Sequence, residues 1–126
     1  MKTEMNNFKF NIIIFMIIGL ISSCSNDIRF EKQRWEQKDD LANYSYRDRM
    51  LNDLTHNYKL KGISFRQLRS LIGKPDGKTV GDSCLFYYNI RVDYGHDIDP
   101  VYVKYLEFNI NSDSLVTEFE IKEIKH

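Results

Sequence analysis

The chain has little cysteine, proline or tryptophan: two Cys, two Pro and one Trp in 126 residues. Two cysteines cannot build a disulfide framework, so a packed core has to hold the fold. Prolines at 75 and 100 alone exclude a Pro-rich, extended architecture. Neither charge is in excess, with Lys+Arg and Asp+Glu at 18 each. No global field therefore draws in nucleic acid, and the eight Tyr and eight Phe read as core and sheet packing rather than base stacking. The chain contains neither a glycine-rich phosphate loop nor a nucleophile elbow. It also lacks a long apolar run. Ile12 to Ile21 is unbroken for ten residues, Gly19 included, whereas a spanning helix needs roughly 20.

That short run fits a signal-peptide core of about 7–15 residues. Lys2 and Lys9 supply a basic start, and Ser22 and Ser23 are small enough for a peptidase cleft. The alternative is a short anchor helix that is never cut. Ile21-Ser22-Ser23-Cys24 resembles the lipobox of bacterial lipoproteins. The resemblance implies that residues 1–23 are lost and that Cys24 carries the lipid. Each buried CH₂ contributes about 0.8 kcal/mol, so several acyl chains anchor stably where one does not. With Cys24 acylated, Cys84 has no partner in the chain and reads as a small buried residue of an apolar strand.

Residues 24–42 are polar with little apolar periodicity and read as a tether, and Trp35 within them should pack back onto the domain. Residues 43–126 form a single small domain. Met50, Leu51, Leu54 and Tyr58 recur at helical spacing and predict a helix over 44–58, with Ser45 or Asp40 as its start. Ser64-Phe65-Arg66-Gln67 has the form of a capping box that opens a second helix. Gly73 stops that helix and Pro75 prevents its continuation. The period then changes to two. Cys84–Ile90 and Val101–Ile110 read as strands. A final strand from Leu115 should place Leu115, Thr117, Phe119 and Ile121 on one face and pair as a hairpin. The expectation is an α+β fold, two helices on a three-stranded antiparallel sheet.

Gly62-Ile63-Ser64, Leu68 and Leu71-Ile72-Gly73-Lys74-Pro75, with Tyr87-Tyr88, Leu106-Glu107-Phe108 and Val116, resemble the pattern of the SmpA/OmlA (BamE-like) family. These are small outer-membrane lipoproteins with an ααβββ fold, one of them an accessory subunit of the machinery that folds outer-membrane barrels. Similar folds occur in β-lactamase inhibitory proteins, whose sheet surface is the binding face. Gly62 and Gly73 also have a structural account, in the turn into the second helix and in its stop.

Charge is unevenly placed. Residues 59–78 hold six bases and one acid, Asp76, whereas residues 82–123 hold nine acids and three bases. A basic side could face anionic headgroups or an acidic partner. Asp93, His96, Asp97 and Asp99 form the one constellation suggestive of a site. Their spacing does not match a calcium loop and one His is a poor zinc set, so turn-capping is the preferred reading. His56 falls off the apolar helical stripe.

The reading is therefore a non-catalytic, monomeric interaction module without cofactor or metal. It is anchored to the membrane through Cys24, binds an envelope protein, and takes no nucleic acid. Ser25, in place of the Asp of inner-membrane retention, favours the periplasmic face of the outer membrane, while Asp27 leaves the leaflet open. An inhibitor of a hydrolase, acting through the sheet face, is the alternative.

Overall fold

A computed structural model describes residues 26–39 and 43–126. Three helices precede four strands: α1 (Lys32–Trp35), α2 (Arg47–Asn57), α3 (Phe65–Ile72), β1 (Gly77–Val80), β2 (Cys84–Asp93), β3 (Tyr102–Ile110) and β4 (Val116–Lys125). The class is α+β, and the sheet is an antiparallel meander in the order β1-β2-β3-β4. The expected three strands and two helices are thus one short on each count.

Strand β1 escaped the pattern because it is a short edge. Gly77-Lys78-Thr79-Val80 pairs with Cys84–Tyr87, and three of its four residues are exposed. A strand that buries no face carries no apolar alternation to read. Helix α1 is a single turn whose one buried residue is Trp35, too short for periodicity to register.

The α3 signals are borne out. The Ser64 side chain accepts from the Gln67 N–H, and the Gln67 side chain accepts from the Ser64 N–H. Gly73 caps the end at φ 88°, a region that favours glycine. Gly62, at φ 82°, turns the chain into this unit. The start of α2 differs from expectation. It lies at Arg47, and Tyr46 precedes it without a side-chain cap. The Ser45 hydroxyl instead donates to Asp39, while Asn43 and Asp39 side chains accept the Tyr44 and Asn43 N–H groups. These local side-chain bonds compete with helix formation, so the helix begins later.

The hairpin of β3 and β4 is present, with Phe108 opposite Phe119 and Leu106 opposite Ile121. Its facing needs a correction. The register shifts between Asn109 and Ile110, so that Ile110 faces Val116 and Asn109 faces Glu118. Thr117 is the extra residue of a bulge. Val116, expected on the outer side, is therefore 1% exposed in the core, and Leu115 lies outside at 38%. Residues 62–65 hydrogen-bond with Ser114 and Val116 and so cover the start of the β4 edge.

The core joins Trp35 of α1, Met50, Leu51 and Leu54 of α2, and Leu68 and Ile72 of α3 to Tyr88, Ile90, Leu106, Phe108 and Ile110 of the sheet. These sheet residues share one face, and all three helices lie on it. A second bulge, at Ile90, shifts the register so that beyond it Val92, rather than Arg91, faces away from the helices.

Candidate functional site

Cys24 lies outside the described residues. The chain just beyond it is fixed to α2. The Asn26 carbonyl accepts from Arg49 Nε at 2.8 Å, the Asp27 carboxylate from Asn52 at 3.1 Å, and the Ile28 N–H donates to the Arg49 carbonyl at 2.9 Å. Phe30 N–H donates to Asp53 at 2.7 Å. That bond, followed by one from Asn57, holds the Asp53 carboxyl below its ordinary value. Phe30 meets Trp35 and Tyr58 edge-on, and Ile28 and Phe30 pack against the core. The described part of the expected tether, residues 26–39, therefore lies on the domain, and Trp35 packs there at 0% exposure. Three apolar residues spaced along a polar stretch suffice for that docking, because each is buried fully or in part. Among the described residues no helix is long and apolar enough to cross a membrane.

The acidic constellation does not converge. Asp93 pairs with Arg91 at 2.9 Å, and its carbonyl accepts from Val101 N–H at 2.8 Å. Asp97 N–H closes a turn on the Tyr94 carbonyl, Gly95 has φ 59°, and Ile98 is 96% exposed. His96, Asp97 and Asp99 point to no common centre: among the described residues no three His, Cys, Asp or Glu could hold a metal together. The loop behaves as a β2–β3 connection closed by turn bonds. Cys84 is a free thiol and half-buried, at the β2 end opposite Ile110. The exposed His56 bonds the Asn52 carbonyl one helical turn earlier.

Two features were not legible beforehand. One is a buried ionic cluster. Arg47, 2% exposed, reaches Asp76 at 2.6 Å, the Asn89 carbonyl at 2.7 Å and the Trp35 carbonyl at 2.9 Å. Its guanidinium lies 3.2 Å from the centre of the Tyr44 ring and 5.0 Å from that of Trp35. Asp76 also accepts from the Tyr44 hydroxyl and the Asn89 N–H. The pair thus satisfies the stretch of β2 that short β1 leaves unpaired. Burial first, then the bond to Asp76, raises the Tyr44 hydroxyl above its ordinary value. The indole Nε1 of Trp35 is buried without a partner, but the bonds around Arg47 and Asp76 join α1, α2 and β2, and the cluster reads as a structural lock.

The other is the sheet face turned away from the helices. The register places Leu85, Tyr87 and Val92 of β2, Val103 and Tyr105 of β3, and Ile124 of β4 on it. Val103 lies between Val92 and Ile124, and the Tyr87 and Tyr105 rings meet edge-on at 6.1 Å. Tyr87 lies across Gly77, where any Cβ would collide with its ring, so the glycine lets the aromatic lie flat. Beside the tyrosines, Glu107 and Lys122 pair at 2.7 Å, a contact that raises the Lys122 ammonium above its usual range. Ring edges and hydroxyls next to aliphatic side chains make an amphipathic surface of the kind that protein partners bind. Period-two reading puts the helices on the face of Leu106, Phe108 and Ile110, as the structure does, but it does not show which residues of different strands meet on the open face.

No known protein family, curated protein or solved structure matches this chain.

Proposed function

We propose that this chain is a lipid-anchored, non-catalytic interaction module of the bacterial cell envelope, accessory to outer-membrane protein assembly or envelope integrity. The observation that carries the reading is Ile21-Ser22-Ser23-Cys24 directly after the apolar run Ile12–Ile21. The resemblance of the Gly62–Pro75 segment to BamE-like lipoproteins supports it. So does an α+β domain whose open sheet face can meet a protein partner. Anchoring raises the effective concentration of that partner at the membrane. Metabolic labelling with palmitate tests the anchor: label should enter the wild-type chain and be lost in Cys24→Ala, which should also leave the membrane fraction. A wild-type chain without label would end the envelope reading. Crosslinking in native membranes, read by mass spectrometry, tests the partner, and the absence of any barrel-assembly subunit would count against that role.

A second reading, inhibition of a hydrolase through the sheet face, is favoured by the Tyr87–Tyr105 pair on that face. Interface hot spots are enriched in tyrosine. Capture of an envelope hydrolase by the wild type, weakened about tenfold or more by Tyr105→Ala, supports it. Equal capture by both proteins removes it.

A further inference from the structure

We propose that the groove between α1 and α3 binds a phosphate-bearing anion through Lys32, Arg66, Arg69 and Lys74. The groove holds about 900 Å³ and is lined by these four cations, three serines and one acid, Glu36. Sequence places three of the cations within nine residues, but Lys32 comes from the N-terminal segment, and only the docking of that segment brings it across. Its ammonium donates to the Ser70 carbonyl on α3 at 3.0 Å, which fixes it over the groove.

What sets these four charges apart is that one groove gathers them, whereas other described cations without an ion pair, such as Arg29, Lys59, Lys78 and Lys125, do not line it. Arg34, Arg47, Lys61, Arg91, Lys104 and Lys122 each have a carboxylate partner. None of the four groove cations forms an ion pair among the described residues, and Arg69 lies instead against the Phe65 ring. Unneutralised like charges gathered in a concavity repel each other and raise the local concentration of anions. Arg66 and Arg69 stand three apart on α3 and so share a face, while Lys74 follows its last turn. The eight-residue helix spreads these charges over about 12 Å.

Phosphate fits this set better than a carboxylate does. It offers more acceptor oxygens than a carboxylate, enough to meet a guanidinium fork, an ammonium and a hydroxyl together, and a free phosphate, though not a diester headgroup, adds a second charge. Ser64, Ser70 and Ser114 line the same groove. The Ser64 oxygen accepts from Gln67 N–H, which leaves its own proton for a ligand. The phosphate can be a soluble ion or a lipid headgroup.

Isothermal titration of the purified full chain at low ionic strength tests this. The probes are inorganic tripolyphosphate, dihexanoyl phosphatidylglycerol below its micelle concentration, dihexanoyl phosphatidylcholine and a polyglutamate peptide. Saturable binding of tripolyphosphate without a phosphatidylglycerol response assigns a soluble phosphate. Binding of phosphatidylglycerol in preference to phosphatidylcholine assigns a headgroup. In either case the triple variant Arg66→Gln, Arg69→Gln, Lys74→Gln should weaken the interaction about tenfold or more, and the control triple Arg29→Gln, Lys78→Gln, Lys125→Gln by less than about twofold. Arg69→Gln alone, at about threefold, reads the same effect should the triple variant melt early. Silence with both phosphate probes, a response to polyglutamate only, or equal weakening by the control triple overturns the proposal. Cys24 takes no part in this titration, so palmitate labelling and phosphate binding can fail separately.

Discussion

Arg47 has the most demanding environment of any single side chain here. A buried guanidinium is tolerable because Asp76, two backbone carbonyls and the faces of Tyr44 and Trp35 surround it. Arg47→Met leaves Asp76 with its charge and without its cation. We expect a loss of about 3–5 kcal/mol in urea unfolding, against under about 1 kcal/mol for Lys61→Met, whose exposed pair with Glu118 is screened. Two buried tyrosines near it predict alkaline sensitivity. Burial, the dominant cause for each, raises the Tyr44 and Tyr88 hydroxyls above 10.0. A raised acid gives up its proton later in the folded state than in the unfolded one. Stability is therefore full below about pH 10 and falls as pH rises above it. Denaturation midpoints between pH 8 and 11 should show the decline. Tyr88→Phe should flatten it, while lowering stability at pH 8 because the bond to the Gly73 carbonyl is lost.

At the scale of elements, the N-terminal segment behaves as part of the domain. Trp35→Ala should cost about 3–5 kcal/mol in thermal unfolding followed by circular dichroism; a change under 1 kcal/mol would mean the segment is not docked. Asp53 gives this docking an acid limit. Its carboxyl is depressed chiefly by the Phe30 N–H, so the restraint is present above its ordinary value of 3.8 and fades as pH falls through the lower folded value. Exchange of the Phe30 amide should therefore accelerate, relative to core amides, on acidification below about pH 4. At the sheet edge, Gly77→Ala must push Tyr87 off β1, which we expect to cost about 1–3 kcal/mol in the same melts.

What could be read from sequence divides along the same elements. Ser64, Gln67 and Gly73 act on neighbours within a turn or two, so their residue types alone state their roles. The β3–β4 hairpin shows because Leu106, Phe108 and Ile110 alternate with Glu107 and Asn109. Val116 was misplaced because a bulge inverts facing without changing composition. Strand β1 and helix α1 are too short or too exposed to leave a period. The Arg47–Asp76 pair joins positions 29 apart in the chain, and no local pattern encodes such a partnership. The covered side of the sheet was legible, since Leu106, Phe108 and Ile110 mark the apolar face on which the helices pack. The grouping of Tyr87, Tyr105, Val92, Val103 and Ile124 on the other side was not, because it depends on cross-strand register and on the Ile90 bulge.

At the scale of the whole described domain, the basic groove and the aromatic sheet face lie on opposite sides of the sheet. Lys32, Arg66, Arg69 and Lys74 lie on the helical layer, whereas Tyr87, Tyr105, Val103 and Ile124 lie on the far side of the sheet. With the sheet between them, two kinds of partner could be held at once. Tyr105→Ala should therefore leave tripolyphosphate binding within about twofold of wild type, because well-separated sites act independently; the titration described above checks this.

The bonds from Arg49 and Asn52 to residues 26–28 bear on how such a domain would stand. With an acyl group on Cys24, as proposed, only two residues separate lipid from the first clamped carbonyl, about 7 Å of fully extended backbone. Such a leash forbids wandering: the α2 flank bearing Arg49 would hug the headgroups, and the body would pivot like a short-stalked buoy. Anything it grips would then have to come down to the bilayer to be met.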